Sequence, residues 1–222
     1  MVTVIDPVDE AGTVPRRGLR LALRAACIAI VTTGTVALAH GLAQMWCSGI
    51  TGRNLLTLGG GDPRLLAESL PQLLQLELRD GVTLYIEDLP VWVRVLSLSP
   101  ALVAGVVAFV ASLFVVRLVR AIAGGEAFGP QPRRALAVAG LVCFGGGLIQ
   151  GVLDTAAVAG ILSLTRSTPR ADGAALPDLY QTMSLDVPHW PVQTILVGAV
   201  GCILLLAFRA GADLQEEAAG VV

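Results

Sequence analysis

The stretch RLVRAIAGGEAFGPQPRRAL, residues 117–136, separates two long apolar segments and decides the fold. Gly124 and Gly125 are typical of a helix end, and Pro130 and Pro132 prevent the preceding helix from continuing. Two arginines precede these breakers and two follow them. We therefore predict a tight reversal between two membrane-spanning helices, at the membrane face where arginines collect.

The composition of the whole chain also indicates a membrane protein. Of its 222 residues, 55% are hydrophobic and 14% are charged, and the mean hydropathy is +0.75. These values lie outside the usual range of soluble globular domains. The formal net charge of −2 provides no basic footprint for a nucleic acid, so we expect no direct nucleic-acid binding.

Four segments are long and apolar enough to cross a bilayer, which takes about 20 residues of helix. We place these spans at about 25–47, 95–116, 135–155 and 189–208. The sequence thus predicts an all-α integral membrane protein, a bundle of four transmembrane helices over residues 25–208 with a small extracytoplasmic β/loop cap. Residues 1–24 and 209–222 are predicted tails.

The arginines and the tryptophans indicate the same orientation. Arginines crowd the N-terminal tail and the 117–134 link, so the positive-inside rule places both termini and this link in the cytoplasm. Trp46, Trp92 and Trp190 fall at the opposite ends of the spans, where an indole buries its ring and keeps its N–H in water. We predict a multi-pass protein of the inner or plasma membrane.

Residues 25–44 leave a second interpretation open. An arginine-rich flank before an apolar core, with Ala37-Leu38-Ala39 resembling a cleavage site, is also typical of a secretory signal. The apolar run continues to Ile50, however, and this length favours retention as the first helix.

The first outer loop, residues 53–94, is patterned like a hairpin. Apolar and polar residues alternate on both sides of an Asp-Gly dipeptide, which predicts paired strands at 75–78 and 82–86. Residues 179–188 of the second outer loop alternate similarly and provide a candidate third strand. We expect a small sheet on the outer face.

Three ionisable residues lie near the outer ends of the spans, namely His40, Asp154 and His189. Such a group is a candidate to bind a divalent metal or to pass protons. Simple anchoring at the interface is the competing and favoured interpretation, because these side chains reach headgroups and water. The four cysteines occur singly, without zinc-ligand spacing, so we assign neither metal nor cofactor.

Two further patterns concern helix contacts and catalysis. Gly147 and Gly151 have GxxxG spacing, which predicts a close helix contact at the centre of the bundle or between two copies of the chain. The chain contains no GxSxG, HExxH or Walker motif, so we do not expect an enzyme.

The link and the C-terminal tail form the predicted partner-binding surface. Acidic residues in the tail oppose the negative end of the last helix, and the arginines of the link offer them counter-charges. We therefore expect the tail to continue the last span as a short helix and to fold back on the 117–134 link, through contacts that a partner can displace. The candidate partner-binding residues are Gly125, Phe128, Arg133, Arg134, Asp213, Gln215, Glu216 and Glu217.

These two stretches together resemble a known family. GEAF at residues 125–128, followed by Arg134 and Leu136, resembles the "G-x-P/A-F-S/T … L-R" signature of the bacterial four-helix membrane family catalogued as domain of unknown function 2975. GADLQEE at residues 211–217 resembles that family's closing "G-x-x-L-Q-x-E/D" motif. The resemblance implies a bacterial inner-membrane protein, often encoded beside a small helix-turn-helix regulator.

Two functions follow as hypotheses. The leading one is a membrane sensor, anchor or regulatory subunit that acts through its cytoplasmic link and tail on a helix-turn-helix regulator or on another membrane protein. The alternative is a small transporter or channel component that uses the outer His/Asp cluster.

Overall fold

The structure is a computed structural model that describes residues 16–53, 64–78, 83–124, 129–166 and 180–219. Within these residues the long helices are α1 Arg16–Gln44, α2 Val91–Ala123, α3 Pro130–Arg166 and α4 Val192–Ala219. A π-helical segment, Met45–Thr51, extends α1. The strands are β1 Leu73–Leu78 and β2 Tyr180–Leu185, and 3-10 turns occupy Ala67–Ser69 and Ile86–Asp88.

All four helices are long and apolar enough to cross a membrane, as the sequence predicts. The longest, α3, has 37 residues. A helix of this length spans about 55 Å, whereas the hydrocarbon core of a bilayer is about 30 Å thick. The helices therefore continue beyond the predicted spans at one or both ends.

Consecutive helices pack antiparallel, α1 on α2, α2 on α3 and α3 on α4. Glycines bring the backbones close together, since a Cβ added at Gly105 of α2 would lie 2.6 Å from the carbonyl oxygen of Ala37 in α1. Gly147 packs against Ile195 of α4, so the predicted GxxxG contact is made within the chain. Helices α2 and α3 are the central pair of this arrangement.

The two ends of the helices differ in composition. We call the end where α1 and α3 begin and α2 and α4 end the arginine-rich end, and the opposite end the cap end. Both the first and the last described helical residues lie at the arginine-rich end. The tryptophans Trp46, Trp92 and Trp190 all lie at the cap end, with relative exposures of 56%, 51% and 45%. This distribution agrees with the predicted belt of half-exposed indoles.

Helix α2 contains Pro100 without a break. Proline has no N–H to donate to the carbonyl four residues earlier, which belongs to Leu96. The hydroxyl of Ser99 donates to that carbonyl at 2.8 Å instead. The Ser99 hydroxyl thus satisfies the carbonyl that Pro100 leaves without a backbone donor, near the start of α2.

The sheet differs from the predicted hairpin. β1 pairs antiparallel with β2, in a register running from Leu73↔Leu185 to Leu78↔Tyr180. The predicted partner, residues 82–86, is not a strand where it is described, because Ile86 begins a 3-10 turn and Tyr85 only bridges Leu66. The predicted pairing of 75–78 with 82–86 is therefore wrong, and the second outer loop supplies the partner strand.

The cap has its own apolar core. We define the cap as residues 64–78, 83–90 and 180–191. Its buried core residues are Ala67, Leu70, Leu84, Ile86 and Leu89. Leu164, near the end of α3, packs against this core. Burial of these side chains explains why β1 pairs with β2 and not with residues 82–86. Ile86 is 1% exposed in its 3-10 turn and would lose that burial in a solvent-facing hairpin.

Candidate functional site

Asp154 is the centre of the polar contacts at the cap end. It lies on α3 with 8% exposure. Its Oδ1 accepts a hydrogen bond from Nε2 of Gln72 at 2.9 Å, and its Oδ2 accepts one from the backbone N–H of His189 at 2.6 Å. Both carboxyl oxygens are therefore engaged, one by each outer loop.

Gln72 connects this carboxyl group to α2. The side chain is 3% exposed, and Nε2 also donates to the carbonyl oxygen of Ser97 at 3.0 Å. One amide group thus links the cap to both central helices. Buried polar groups need such partners, since an unpaired donor costs about 1–3 kcal/mol. Sequence reasoning missed Gln72, although a glutamine enclosed by the apolar run from Leu70 to Leu74 was a usable signal.

The structure does not bring the side chains of His40, Asp154 and His189 together. The imidazole of His189 is 76% exposed and lies 3.7 Å from a carboxyl oxygen of Asp186, so only its backbone meets Asp154. His40 is exposed on α1, which packs on α2 rather than on α3. Within the described residues no three His, Cys, Asp or Glu side chains form a metal-binding group.

A second attachment joins the cap to the end of α1. Gly52 closes the π-helical segment with φ +68, in the left-handed region that favours glycine. Arg53 then pairs with Glu87 of the cap, with Nε 3.3 Å from Oε2. Arg94 is 7% exposed and lies close to Gly52. A Cβ added at Gly52 would be 2.9 Å from Nη1 of Arg94. The cap is therefore attached to α1, α2 and α3.

The arginine-rich end contains a cavity between α2 and α3. Its volume is about 820 Å³. The charged part of its lining is Arg117 and Arg120 from α2 and Arg134 from α3. Phe114 and Val138 lie about one turn deeper on the same two helices and make the inner lining apolar. The cavity combines a cationic rim with an apolar interior.

The three guanidinium groups have no anionic partner in the part of the chain that the structure describes. Arg117 stacks over the ring of Phe114, with Cζ 5.1 Å from the ring centroid, and a cation–π contact leaves its N–H donors free for another group. All three arginines are exposed. Three like charges around one cavity repel one another, and an anion that binds between them relieves that repulsion.

The other predicted partner-binding residues are placed less completely. Arg133 is half-buried on α3 and does not line the cavity, unlike its neighbour Arg134. Gly125 and Phe128 lie outside the described residues. The positions of Asp213, Gln215, Glu216 and Glu217 are helical in α4, but their side chains lie outside the described part.

The C-terminal tail continues the last helix, as the sequence predicts. α4 continues as one helix to Ala219, because the tail consists mainly of good helix formers and contains no proline. Gly140 of α3 packs on Gly201 of α4, which fixes the register of the two helices. From that contact α4 projects about eight residues, or about 12 Å, past the start of α3 at Pro130. The tail is therefore a helical extension of α4, and the predicted contact of its acidic side chains with the 117–134 link stays a prediction, since these side chains lie outside the described part.

Comparison with known proteins adds no relative. No family model matches the chain, and no curated protein and no solved structure matches it either. The resemblance to the four-helix membrane family stays a prediction from its two motifs.

Proposed function

We propose that this chain is a non-catalytic membrane subunit, a sensor, anchor or regulator, whose working surface is the arginine-rich end. The observation that carries the proposal is the convergence of Arg117, Arg120 and Arg134 on one cavity without an anionic partner among the described residues. Guanidinium groups arranged in this way favour binding of an anionic group.

The arginine-rich end faces the cytoplasm in this proposal. Arg24 of α1 and Arg209 of α4 are exposed at the same end as the cavity arginines, and arginines near span ends favour the cytoplasmic side. The projecting end of α4 lies there too and carries Asp213, Glu216 and Glu217. A cytoplasmic regulator or a second membrane protein would meet a surface with charges of both signs.

The cap end offers less support for the alternative, a transporter or channel component. Both oxygens of Asp154 are engaged in attaching the loops, and His40 lies on a different pair of helices. A proton or ion pathway needs groups that exchange partners along a route. The contacts of Asp154 are those of a structural attachment, and they favour the regulatory function.

The test is co-purification from the native membrane in a mild detergent. The cavity variant Arg120→Gln/Arg134→Gln is compared with the control Arg24→Gln/Arg209→Gln, which removes two exposed arginines from the same end without touching the cavity. We expect the wild-type chain and the control to retain a common partner that the cavity variant loses. Retention of every partner by the cavity variant, and by a chain ending at Gly211, would refute the proposal.

A further inference from the structure

We infer that the arginine-lined cavity binds the phosphate group of an anionic phospholipid from the leaflet at the arginine-rich end. The inference rests on the proposed function in one respect, because it takes the same cavity as the working site and names its ligand.

The cavity lies at the depth of lipid headgroups. From Val95 to Val116, α2 contains no charged residue, and Arg117 follows immediately. These residues form about 33 Å of helix, close to the thickness of the hydrocarbon core, about 30 Å. Arg117 therefore lies at the boundary where the hydrocarbon ends and lipid phosphates begin. Arg120 lies one turn further out, and Arg134 faces them from the start of α3.

The rim of the cavity matches a phosphate group. A guanidinium presents parallel N–H donors that bind two oxygens of one phosphate, which a point charge such as lysine does not do. Gln131 adds an uncharged amide to the lining beside Arg134. Basic pockets between transmembrane helices on the cytoplasmic side are a known way of binding acidic headgroups. The charge and the donor geometry both fit a phosphate ester.

The interior distinguishes a lipid from a soluble anion or an acidic peptide. Phe114 and Val138 line the deep part, and both are only partly buried. An acyl chain covers such apolar surface, whereas a free phosphate or a carboxylate side chain leaves it in contact with water. The cavity volume of about 820 Å³ also exceeds what one phosphate group fills, and it leaves room for the glycerol and the first methylenes.

The experiment measures lipid binding to the full-length chain in detergent by native mass spectrometry. Phosphatidylglycerol is titrated against phosphatidylcholine with identical acyl chains, and inorganic phosphate is added as a competitor. We expect the wild-type chain to bind phosphatidylglycerol at least about tenfold more tightly than phosphatidylcholine, since both lipids carry the phosphate but the choline cation of the second is repelled by the arginines and hinders their paired contacts with it. Millimolar inorganic phosphate should not displace the lipid. Equal binding of the two lipids overturns the inference, and this comparison needs no substitution in the chain.

Variants then locate the site. Arg117→Gln/Arg134→Gln should lose the preference for phosphatidylglycerol, while Arg24→Gln/Arg209→Gln should keep it within about twofold of wild type. Arg117→Lys/Arg134→Lys keeps the charge and removes the paired donors, so an intermediate preference is expected. An unchanged preference in the glutamine variant, or displacement by inorganic phosphate, overturns the inference.

The two proposals fail separately. If the cavity variants lose a protein partner but keep their preference for phosphatidylglycerol, an acidic protein is the ligand of the cavity, and only the lipid inference fails. If they lose the lipid preference but keep every partner, the lipid inference is supported, and the proposed action through a partner fails.

Discussion

Replacing Asp154 by asparagine should loosen the cap from the helices while preserving the shape of the side chain. Asp154 accepts from Gln72 Nε2 and from the His189 N–H, both of which are donors. An asparagine offers one oxygen and one NH₂ group, so one of the two donors would face another donor. If Gln72 rotates its amide to present Oε1, it loses the contact of Nε2 with the Ser97 carbonyl.

One hydrogen bond is lost in either arrangement. The amide of Gln72 is buried, since this residue is 3% exposed. An unpaired buried donor costs about 1–3 kcal/mol. For a chain of this size, each 1 kcal/mol lowers Tm by about 2–4 °C, so the expected decrease is about 2–12 °C. His189 is more exposed, so water can bond to its N–H in place of Asp154. The lost contact of Gln72 therefore makes the larger contribution to the decrease in the free energy of unfolding.

Thermal unfolding in detergent measures the total effect, and hydrogen exchange of β1 and β2 amides shows whether the cap opens first. Thr155→Val is the matched control, since Thr155 is an exposed residue of the same helix whose hydroxyl bonds to the carbonyl of Gly151 at 2.8 Å, within that helix. The effect of Asp154→Asn should largely disappear in a Gln72→Leu background, because the two residues share one interaction. An Asp154→Asn protein with wild-type Tm and wild-type exchange in the cap would refute the reasoning.

Three further predictions concern backbone contacts. Gly198→Ala should lower the free energy of unfolding by about 1–3 kcal/mol, because the added Cβ meets the backbone of α3. Gly145 has open space around it, so Gly145→Ala should change the free energy of unfolding by less than about 1 kcal/mol in the same melting experiment. Gly52→Ala should cost about 1–2 kcal/mol for its left-handed φ, and equal stability of the two proteins would contradict this. Glu77→Cys with Thr182→Cys, placed in a chain without native cysteines, should form a disulfide visible as a mobility shift under oxidising conditions, since these residues are register partners. Failure of that pair to oxidise would contradict the strand pairing.

The spans were predictable because membrane crossing is a local property of the sequence. About 20 apolar residues in a row are sufficient to identify a spanning helix, whatever it packs against. The link at residues 117–136 was predictable for the same reason, since glycine and proline end helices through local backbone effects. The three tryptophans were predicted at span ends on one side, and all three lie half-exposed at the cap end.

The sheet pairing and the contacts of Asp154 were not predictable in this way, because they join residues far apart in the chain. Gln72 and Asp154 are separated by 82 positions, and Glu77 and Thr182 by 105. A strong local turn signal in the first loop suggested a hairpin, but burial in the cap core determined the partner strand.

The candidate group of His40, Asp154 and His189, the less favoured interpretation from the sequence, shows the limit of counting along a helix. Counting residues gives the depth of a side chain in the membrane, and His40 and Asp154 are indeed near the cap end. It does not say which helices are neighbours, and α1 packs on α2, away from α3. The arginines mark one end of the spans in the sequence, but the cavity is formed by two helices and could not be inferred from either one alone.

The pairing of β1 with β2 has a consequence for biogenesis. β1 precedes α2 and β2 follows α3 in the chain. During synthesis β1 therefore stays unpaired until both central helices have been made. The sheet forms only if both loops lie on the same side of the membrane. A chain with one helix left uninserted would display an unpaired strand edge, the kind of surface that drives aggregation. Completion of this sheet therefore reports that the membrane insertion of the central hairpin has succeeded.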